Sequence, residues 1–345
     1  MGMRFQNPKL IDLENSINEE VKCKLPDEEA FKVVPFDEAA TEKIGYSNYS
    51  YWKSTFRMFR KNKLAMFLVF TVLAILLFTF IQPRLPNQLD SFQINNNKQG
   101  VVIKNKPPGT IETLKDGTEF KFILGTNELG QDLWAKIWGA TRNSLLIGIA
   151  VALIEAFIGI IAGVLWGYVK ITDIIFTELY NILDNVPSSL VLILVSYMMK
   201  PSVGTLLLAM SLTRWIGMAR FIRNQIVIIR DREYNLASRC LGSGTVKIIF
   251  RNLLPYLVSV IMLRMALSIP DAIASEVFIT YIGLGLPADV PSLGNLINQG
   301  RKLMLSPTLR YQLIYPVIIL AIVTVSFYVV GNAFSDAADP KNHVN

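Results

Sequence analysis

The chain has 345 residues, 52% of them hydrophobic, and a formal net charge of +7. Apolar runs near the ~20 residues that cross a bilayer make it a polytopic membrane protein and exclude a soluble enzyme. The positive charge does not point to nucleic acid, because the basic residues gather at the edges of apolar runs, where positive charge sets topology; the single histidine, His343, lies in the polar tail and leaves no imidazole for a metal or a catalytic base within the membrane.

Residues 1–49 are polar and mixed in charge, and read as a cytoplasmic N-terminal extension. Asp27, Glu28, Glu29 and Asp37 lie in this leader and the apolar run starts only at Leu64, so no signal peptide is expected and the first span is retained. Within 50–63, Trp52, Phe56 and Phe59 fall at i, i+4, i+7, with Lys53, Arg57, Arg60, Lys61 and Lys63 around the rest. That pattern predicts a basic amphipathic helix on the inner membrane surface. Residues 64–82 hold the first transmembrane helix, about 27 Å of apolar helix closed by Gln82-Pro83-Arg84. Residues 83–142 form an extracellular insert and an interfacial helix. Here 110–114 and 118–123 flank Lys115-Asp116-Gly117, which predicts a β-hairpin, and Asp132 is placed to cap a helix with Leu133, Trp134, Ile137 and Trp138 on one face.

Residues 143–334 form a transmembrane core of five helices. In the second span, 144–169, Gly159, Gly163 and Gly167 are four apart and are extended by Ala152 and Ala156. Such a stripe brings helix backbones close, either within this chain or against a partner subunit. A semi-polar helix over 173–186, a third span over 187–199 and a fourth over 203–219 follow. The loop 220–255 carries Arg220, Arg223, Arg230, Arg232, Arg239, Lys247 and Arg251, which place it in the cytoplasm. The fifth span covers 256–281. Gly283-Leu284-Gly285-Leu286-Pro287 and Pro291-Ser292-Leu293-Gly294 then break the helix near the outer surface. A sixth span, 313–334, returns the tail, 335–345, so both termini are cytoplasmic. Cys23 and Cys240 fall in cytoplasmic segments, where no disulfide is expected.

In the loop, 233–241 can form a short helix stopped by Gly242-Ser243-Gly244, with Thr245 capping a second helix over 246–254. Two short helices at an angle make a rigid knob: Ala237 and Ser238 are small enough to sit deep in a groove, and Leu236 and Leu241 add apolar contact. An ordinary surface loop is the alternative. Inside the spans, ionisable groups are costly. Arg264 and Asp271, seven apart, share one helical face about 10 Å apart along the axis; Glu155 lies in the second span and Glu276 near the outer end of the fifth. Arg264, Asp271 and Glu276 are candidates to line a passage, and buried pairs that hold helices together are the other reading. Residues 242–247 lack the Gly-x4-Gly-Lys-Ser/Thr spacing that wraps phosphates, so energy must come from elsewhere.

The loop resembles that of ATP-binding-cassette importer permeases, whose pattern is Glu-Ala-Ala, three residues, Gly, nine residues, Ile-x-Leu-Pro. Ala237, Gly242, Leu254 and Pro255 fit that register, while Leu236, Ser238 and Asn252 stand where the pattern has Glu, Ala and Ile. Residues 122–132, with Leu124-Gly125-Thr126-Asn127 and Gly130-Gln131-Asp132, are similar to the Leu-Gly-Thr-Asp-x-x-Gly-Arg-Asp signature of the oligopeptide and dipeptide permeases, with Asn127 and Gln131 in place of Asp and Arg. Gly139-Ala140-Thr141-Arg142-Asn143-Ser144-Leu145, residues 276–285, Pro291-Ser292-Leu293-Gly294 and Asp336-Ala337-Ala338-Asp339-Pro340 match in family order. The nearest resemblance is to the C-type permease subunit of Gram-positive oligopeptide importers.

The resemblance implies an all-α polytopic membrane protein with six transmembrane helices in the type I importer permease fold, set in the bacterial cytoplasmic membrane among its lipids. It implies an ATPase-coupling loop of Glu233, Tyr234, Ala237, Ser238, Leu241, Gly242, Leu254 and Pro255. The expected partners are a second, homologous permease subunit, two ATPase subunits that bind ATP and Mg²⁺, a lipid-anchored extracellular oligopeptide-binding protein and the peptide itself. No cofactor or metal is expected on this chain, and no catalytic site. Dipeptides, nickel chelates or signalling peptides remain open as cargo. An ion-driven secondary transporter would call for inverted repeats and a mid-membrane ionisable network; no repeat is evident.

Overall fold

A computed structural model describes residues 51–338; the extension over 1–49 and the tail with His343 lie outside the described residues. α1 (Tyr51–Lys61) and α2 (Lys63–Ile81) are separated by Asn62, whose side-chain oxygen accepts from the Ala65 N–H at 3.0 Å and caps α2. The apolar side of α1 is divided. Phe56 is exposed, while Phe59 is buried edge-on against Phe334 at 5.9 Å between ring centroids. α2 leaves Phe67, Phe70 and Leu77 exposed, as a helix that meets lipid does.

In the insert, β1 (Thr110–Thr113) pairs antiparallel with β2 (Glu119–Phe122), Thr113 opposite Glu119. Asp116 Oδ1 accepts from the Thr118 N–H at 3.0 Å, and Ile103, Leu114 and Phe122 form a small core beneath. The hairpin is thus where the turn chemistry predicts it.

α3 (Leu133–Tyr168) runs for 36 residues, about 54 Å at helical rise, and Asp132 caps it by accepting from the Ala135 N–H at 3.1 Å. The expected boundary between 142 and 143, interfacial helix on one side and second span on the other, falls inside this continuous helix, because no proline or turn interrupts it. The small-residue stripe is used within the chain. A Cβ added to Gly163 would stand 2.5 Å from the carbonyl oxygen of Ala219 in α6 (Val203–Ile229), and Met218, Ile222 and Ile226 pack along the same seam.

α4 (Lys170–Asp184) and α5 (Ser188–Met198) meet at 78°. Pro187 supplies no N–H and biases Val186 away from helical angles, so the helix breaks there. α5 alone is about 16 Å long, half a bilayer core. The expected third span over 187–199 therefore exists only as one arm of a bent pair. With that pair counted as one, the described residues hold six helical crossings by length and composition.

α6 continues ten residues past the expected end at 219, so Arg220 and Arg223 belong to it and the loop begins near 230. α7 (Glu233–Cys240) follows, then α8 (Thr245–Ile248), a π-helical turn at Ile249–Leu253 and α9 (Leu254–Tyr281). These last three form one unbroken helix of 37 residues, Thr245–Tyr281. The expected separate helix over 246–254 is therefore the start of the fifth span, and Thr245 does not cap it; Gly244 holds that position without a side-chain bond. Pro255 explains the irregular turn. Its ring crowds the carbonyl four residues back, and the wider π turn, with the Leu254 N–H donating to Ile249, lets the helix pass. α10 (Leu293–Arg301) and α11 (Tyr311–Ala338) complete the described chain.

Candidate functional site

The segment 230–253 forms a knob at one end of the bundle. Arg230 Nη1 donates to Gly167 O at 2.8 Å, which ties the knob to the C-terminal end of α3, opposite the end that Asp132 and the hairpin occupy. α7 stops where the sequence predicts. The Ser243 N–H reaches Ser238 O at 3.0 Å, the Gly242 N–H reaches Arg239 O at 2.9 Å, and Gly242 adopts φ 76°. This nested pair with a left-handed residue is the glycine stop of a helix.

Inside the knob is an amide network. Buried Asn235 donates from Nδ2 to Ile229 O at 2.8 Å and accepts at Oδ1 from Asn252 Nδ2 at 3.0 Å. Asn252 also lies 3.2 Å from Ser238 Oγ, which donates to Tyr234 O at 2.8 Å. Asn235 and Asn252 were not among the expected site residues. The signal for them was present, because Ser238 and Asn252 are two of the three departures from the family pattern and here they touch each other.

The outside of the knob is different. Leu241 is 85% exposed, and Tyr234, Leu236, Val246 and Phe250 are exposed beside Glu233, Ala237 and Gly242. Leu254 is half-buried and Pro255 exposed below them, at the end of the π turn. Of the eight expected coupling residues, the fold thus puts five on one exposed surface, turns Ser238 inward and leaves the Leu254-Pro255 pair as its base.

Within the bundle, Arg264, Ser268, Asp271 and Ser275 follow one another at i, i+4, i+7 and i+11 on α9. Arg264 and Asp271 do not pair. Arg264 lies over the Phe221 ring at 6.0 Å, with no partner for its Nε among the described residues, and Asp271 accepts from the hydroxyl of Tyr328 in α11. Between them, Ser268 donates to Glu155. Glu155 also meets Arg214 of α6, Nε to Oε2 at 3.3 Å, and Arg214 Nη2 lies 3.4 Å from both Ser268 O and Ser268 Oγ. Sequence reasoning flagged Glu155 and passed over its counter-ion, although an arginine midway along an apolar segment is itself the signal.

Glu276, the third candidate to line a passage, is fully buried in this chain. It has no exposed surface, accepts from Ser144 Oγ at 2.9 Å and from Thr280 Oγ1 at 3.1 Å, and Ser144 Oγ accepts in turn from the Leu293 N–H at 3.1 Å. A Cβ on Gly294 would stand 2.9 Å from Glu276 Oε1. Asn143 Nδ2 donates to Pro291 O at 2.8 Å. Three motif segments, 139–145, 276–285 and 291–294, therefore converge on one closed polar knot at the hairpin end.

The signature segment closes in the same way. Asn127 Nδ2 donates to Gln131 Oε1 at 2.9 Å, Asn127 Oδ1 accepts from the Gln131 N–H at 2.9 Å, and Lys136 Nζ also reaches Gln131 Oε1. The two departures from the family signature form one amide pair. Burial lifts the neighbouring Asp132 carboxyl to about 6, against the pull of its two helix N–H bonds. No cluster of His, Cys, Asp or Glu that could hold a metal occurs among the described residues.

Residues 155–344 match the family described as binding-protein-dependent transport system inner membrane component, and residues 50–108 match the N-terminal transmembrane domain of oligopeptide transport permease C. The chain is 38% identical to the oligopeptide transport system permease protein AmiD of Streptococcus pneumoniae, over 92% of this chain and 98% of that protein. It is 35% identical to the dipeptide transport system permease protein DppC of Bacillus subtilis, over 85% of this chain and 86% of that one. With the oligopeptide transport system permease protein OppC of Bacillus subtilis it shares 34% identity over 87% and 93%. These matches run through the knob, the stripe and the closed knot alike, and the chain belongs to the binding-protein-dependent transport permeases, in the C-type branch of the oligopeptide and dipeptide permeases.

Proposed function

We propose that this chain is one of two different transmembrane subunits of an ATP-driven oligopeptide importer in the bacterial cytoplasmic membrane. It supplies half of the peptide passage and one coupling site, and has no catalytic site of its own. ATP and Mg²⁺ bind to two separate ATPase subunits, and a lipid-anchored binding protein delivers peptide at the hairpin end. The knob end is cytoplasmic, since Arg230, Arg232, Arg239, Lys247 and Arg251 cluster there. Both termini lie on that side. Arg264 and Asp271 line the passage, as charged groups that share one face of the helix with Ser268 and Ser275.

The observation that carries this reading is the knob: a polar interior satisfied by Asn235 and Asn252, under a surface where Leu241, Val246 and Phe250 are exposed. A rigid apolar projection at the mouth of a membrane bundle fits a groove in a soluble partner. Dipeptides are a second cargo class, favoured by the comparable identity to DppC.

Gly242→Trp tests the docking. Among the described residues no atom lies within 4 Å of a Cβ built at Gly242, so the side chain is expected to meet the partner rather than this fold, at a backbone cost of about 1–2 kcal/mol. The variant is expected at parental levels in the membrane, with uptake at least about tenfold lower, a loss of ~1.4 kcal/mol in coupling, and with ATPase subunits that detach or hydrolyse without transport. Parental uptake would overturn the docking assignment.

A further inference from the structure

A cavity of about 260 Å³ opens where α5, α6 and α9 meet, lined by Ser188 and Ser189 after the Pro187 break, Thr213 and Arg214 of α6, and Ser275 and Phe278 of α9. Arg214 is the twelfth residue of a 27-residue helix, about 17 Å from its start, and so near the middle of the crossing. One edge of its guanidinium is committed, Nε to Glu155 and Nη2 to Ser268. Nη1 makes no hydrogen bond among the described residues, and a guanidinium carries five donors in a fixed fork. The cation is held in place by one edge, and its side chain lines the cavity.

The hydroxyls sort by what they have left to give. Thr213 Oγ1 donates to Met210 O at 3.3 Å and Ser275 Oγ to Asp271 O at 2.8 Å, so both offer only lone pairs to the cavity. The Ser188 and Ser189 hydroxyls make no side-chain hydrogen bond among the described residues and remain donors. Arg214 with Ser188 and Ser189 thus suits a carboxylate, and Thr213 with Ser275 suits the N–H beside it. An anion here shares a cation already paired with Glu155, so the occupied site carries one net negative charge. Such a site is weak enough to release what it holds, which a conducting pathway requires.

We propose that Arg214, Ser188 and Ser189 form a mid-membrane site for the C-terminal carboxylate of the peptide in transit, with Glu155 and Ser268 positioning the guanidinium. This rests on the importer reading. Without the site, a carboxylate would cross the bundle centre with one cation fewer to pair with, whereas an amidated terminus would lose little.

The test uses the complete transporter with saturating, loaded binding protein, and compares a pentapeptide with its C-terminal amide. Arg214→Gln is expected to slow uptake of the free acid about tenfold more than that of the amide, the size of a charge-assisted hydrogen bond. Equal slowing of both peptides would make Arg214 a structural member of the bundle and overturn the proposal. Should that variant not assemble, Ser188→Ala with Ser189→Ala leaves the ion pair intact and is read by the same ratio. A differential of about threefold supports the site, and an unchanged ratio overturns it. Uptake of both peptides in cells lacking this chain would instead sink the importer reading, which keeps the two failures apart.

Discussion

Two polar knots sit at opposite ends of this bundle, built by the same device and finished differently. Around Glu276, hydroxyls from α3 and α9 close on one buried carboxyl, and the start of α10 donates to one of those hydroxyls. Around Asn235, amides close on one another just as fully, yet the surface above exposes Tyr234, Leu236, Leu241, Val246 and Phe250. The closed knot fixes the geometry of the hairpin end. The half-open one is rigid inside and adhesive outside, and that combination suits a part that must transmit movement to a partner.

The comparison breaks most sharply at Glu276. Glu276→Ala leaves the Ser144 and Thr280 hydroxyls without their acceptor in a site that excludes water, at a cost of about 2–5 kcal/mol. Glu276→Gln keeps an acceptor and should cost less. Thermal unfolding of the purified protein reads the difference, and an alanine variant as stable as the parent would mean that the knot is not a scaffold.

A smaller effect sharpens the other half. Asn252→Ile restores the residue of the family pattern but deprives Asn235 Oδ1 and Ser238 Oγ of a donor, which should cost about 1–3 kcal/mol. Adding Ser238→Ala should recover part of that loss. A double-mutant cycle is expected to give a coupling of at least ~0.5 kcal/mol, and strict additivity would show that the two departures are unrelated.

The smallest effect concerns pH at the hairpin end. The Asp132 carboxyl titrates near 6 when folded, above its ordinary value of 3.8, so the fold favours its protonated form. Its contribution to stability is complete below about pH 4 and is lost as pH rises through 6. Asp132→Asn keeps an oxygen to cap α3 and has no charge to bury. The variant should therefore gain on the parent between pH 4 and 7, by at most about 3 kcal/mol. Parallel stability curves across that range would refute the assignment.

Several features were fixed by residues a few positions apart. The apolar run after Lys63 is a helix, Asp116-Gly117 turns the hairpin, Asp132 caps α3 and Gly242 stops α7, each through bonds spanning two to five residues. Local chemistry also misled where a longer element overrode it: Pro255 has the residue type of a stop, but a π turn carries the helix past it, and Thr245, of a capping type, is instead the first residue of that long helix, behind Gly244. What the tertiary structure alone decided is the fate of the charges and of the small-residue stripe. Glu155 finds Arg214 59 positions away, Glu276 finds Ser144 132 positions away, and Gly163 receives α6 rather than another subunit. Helical periodicity places a side chain on a face, but whether that face meets lipid, a cavity or an acceptor depends on which distant helix lies against it, and the cost of an unpaired charge in low dielectric makes that choice for the whole fold.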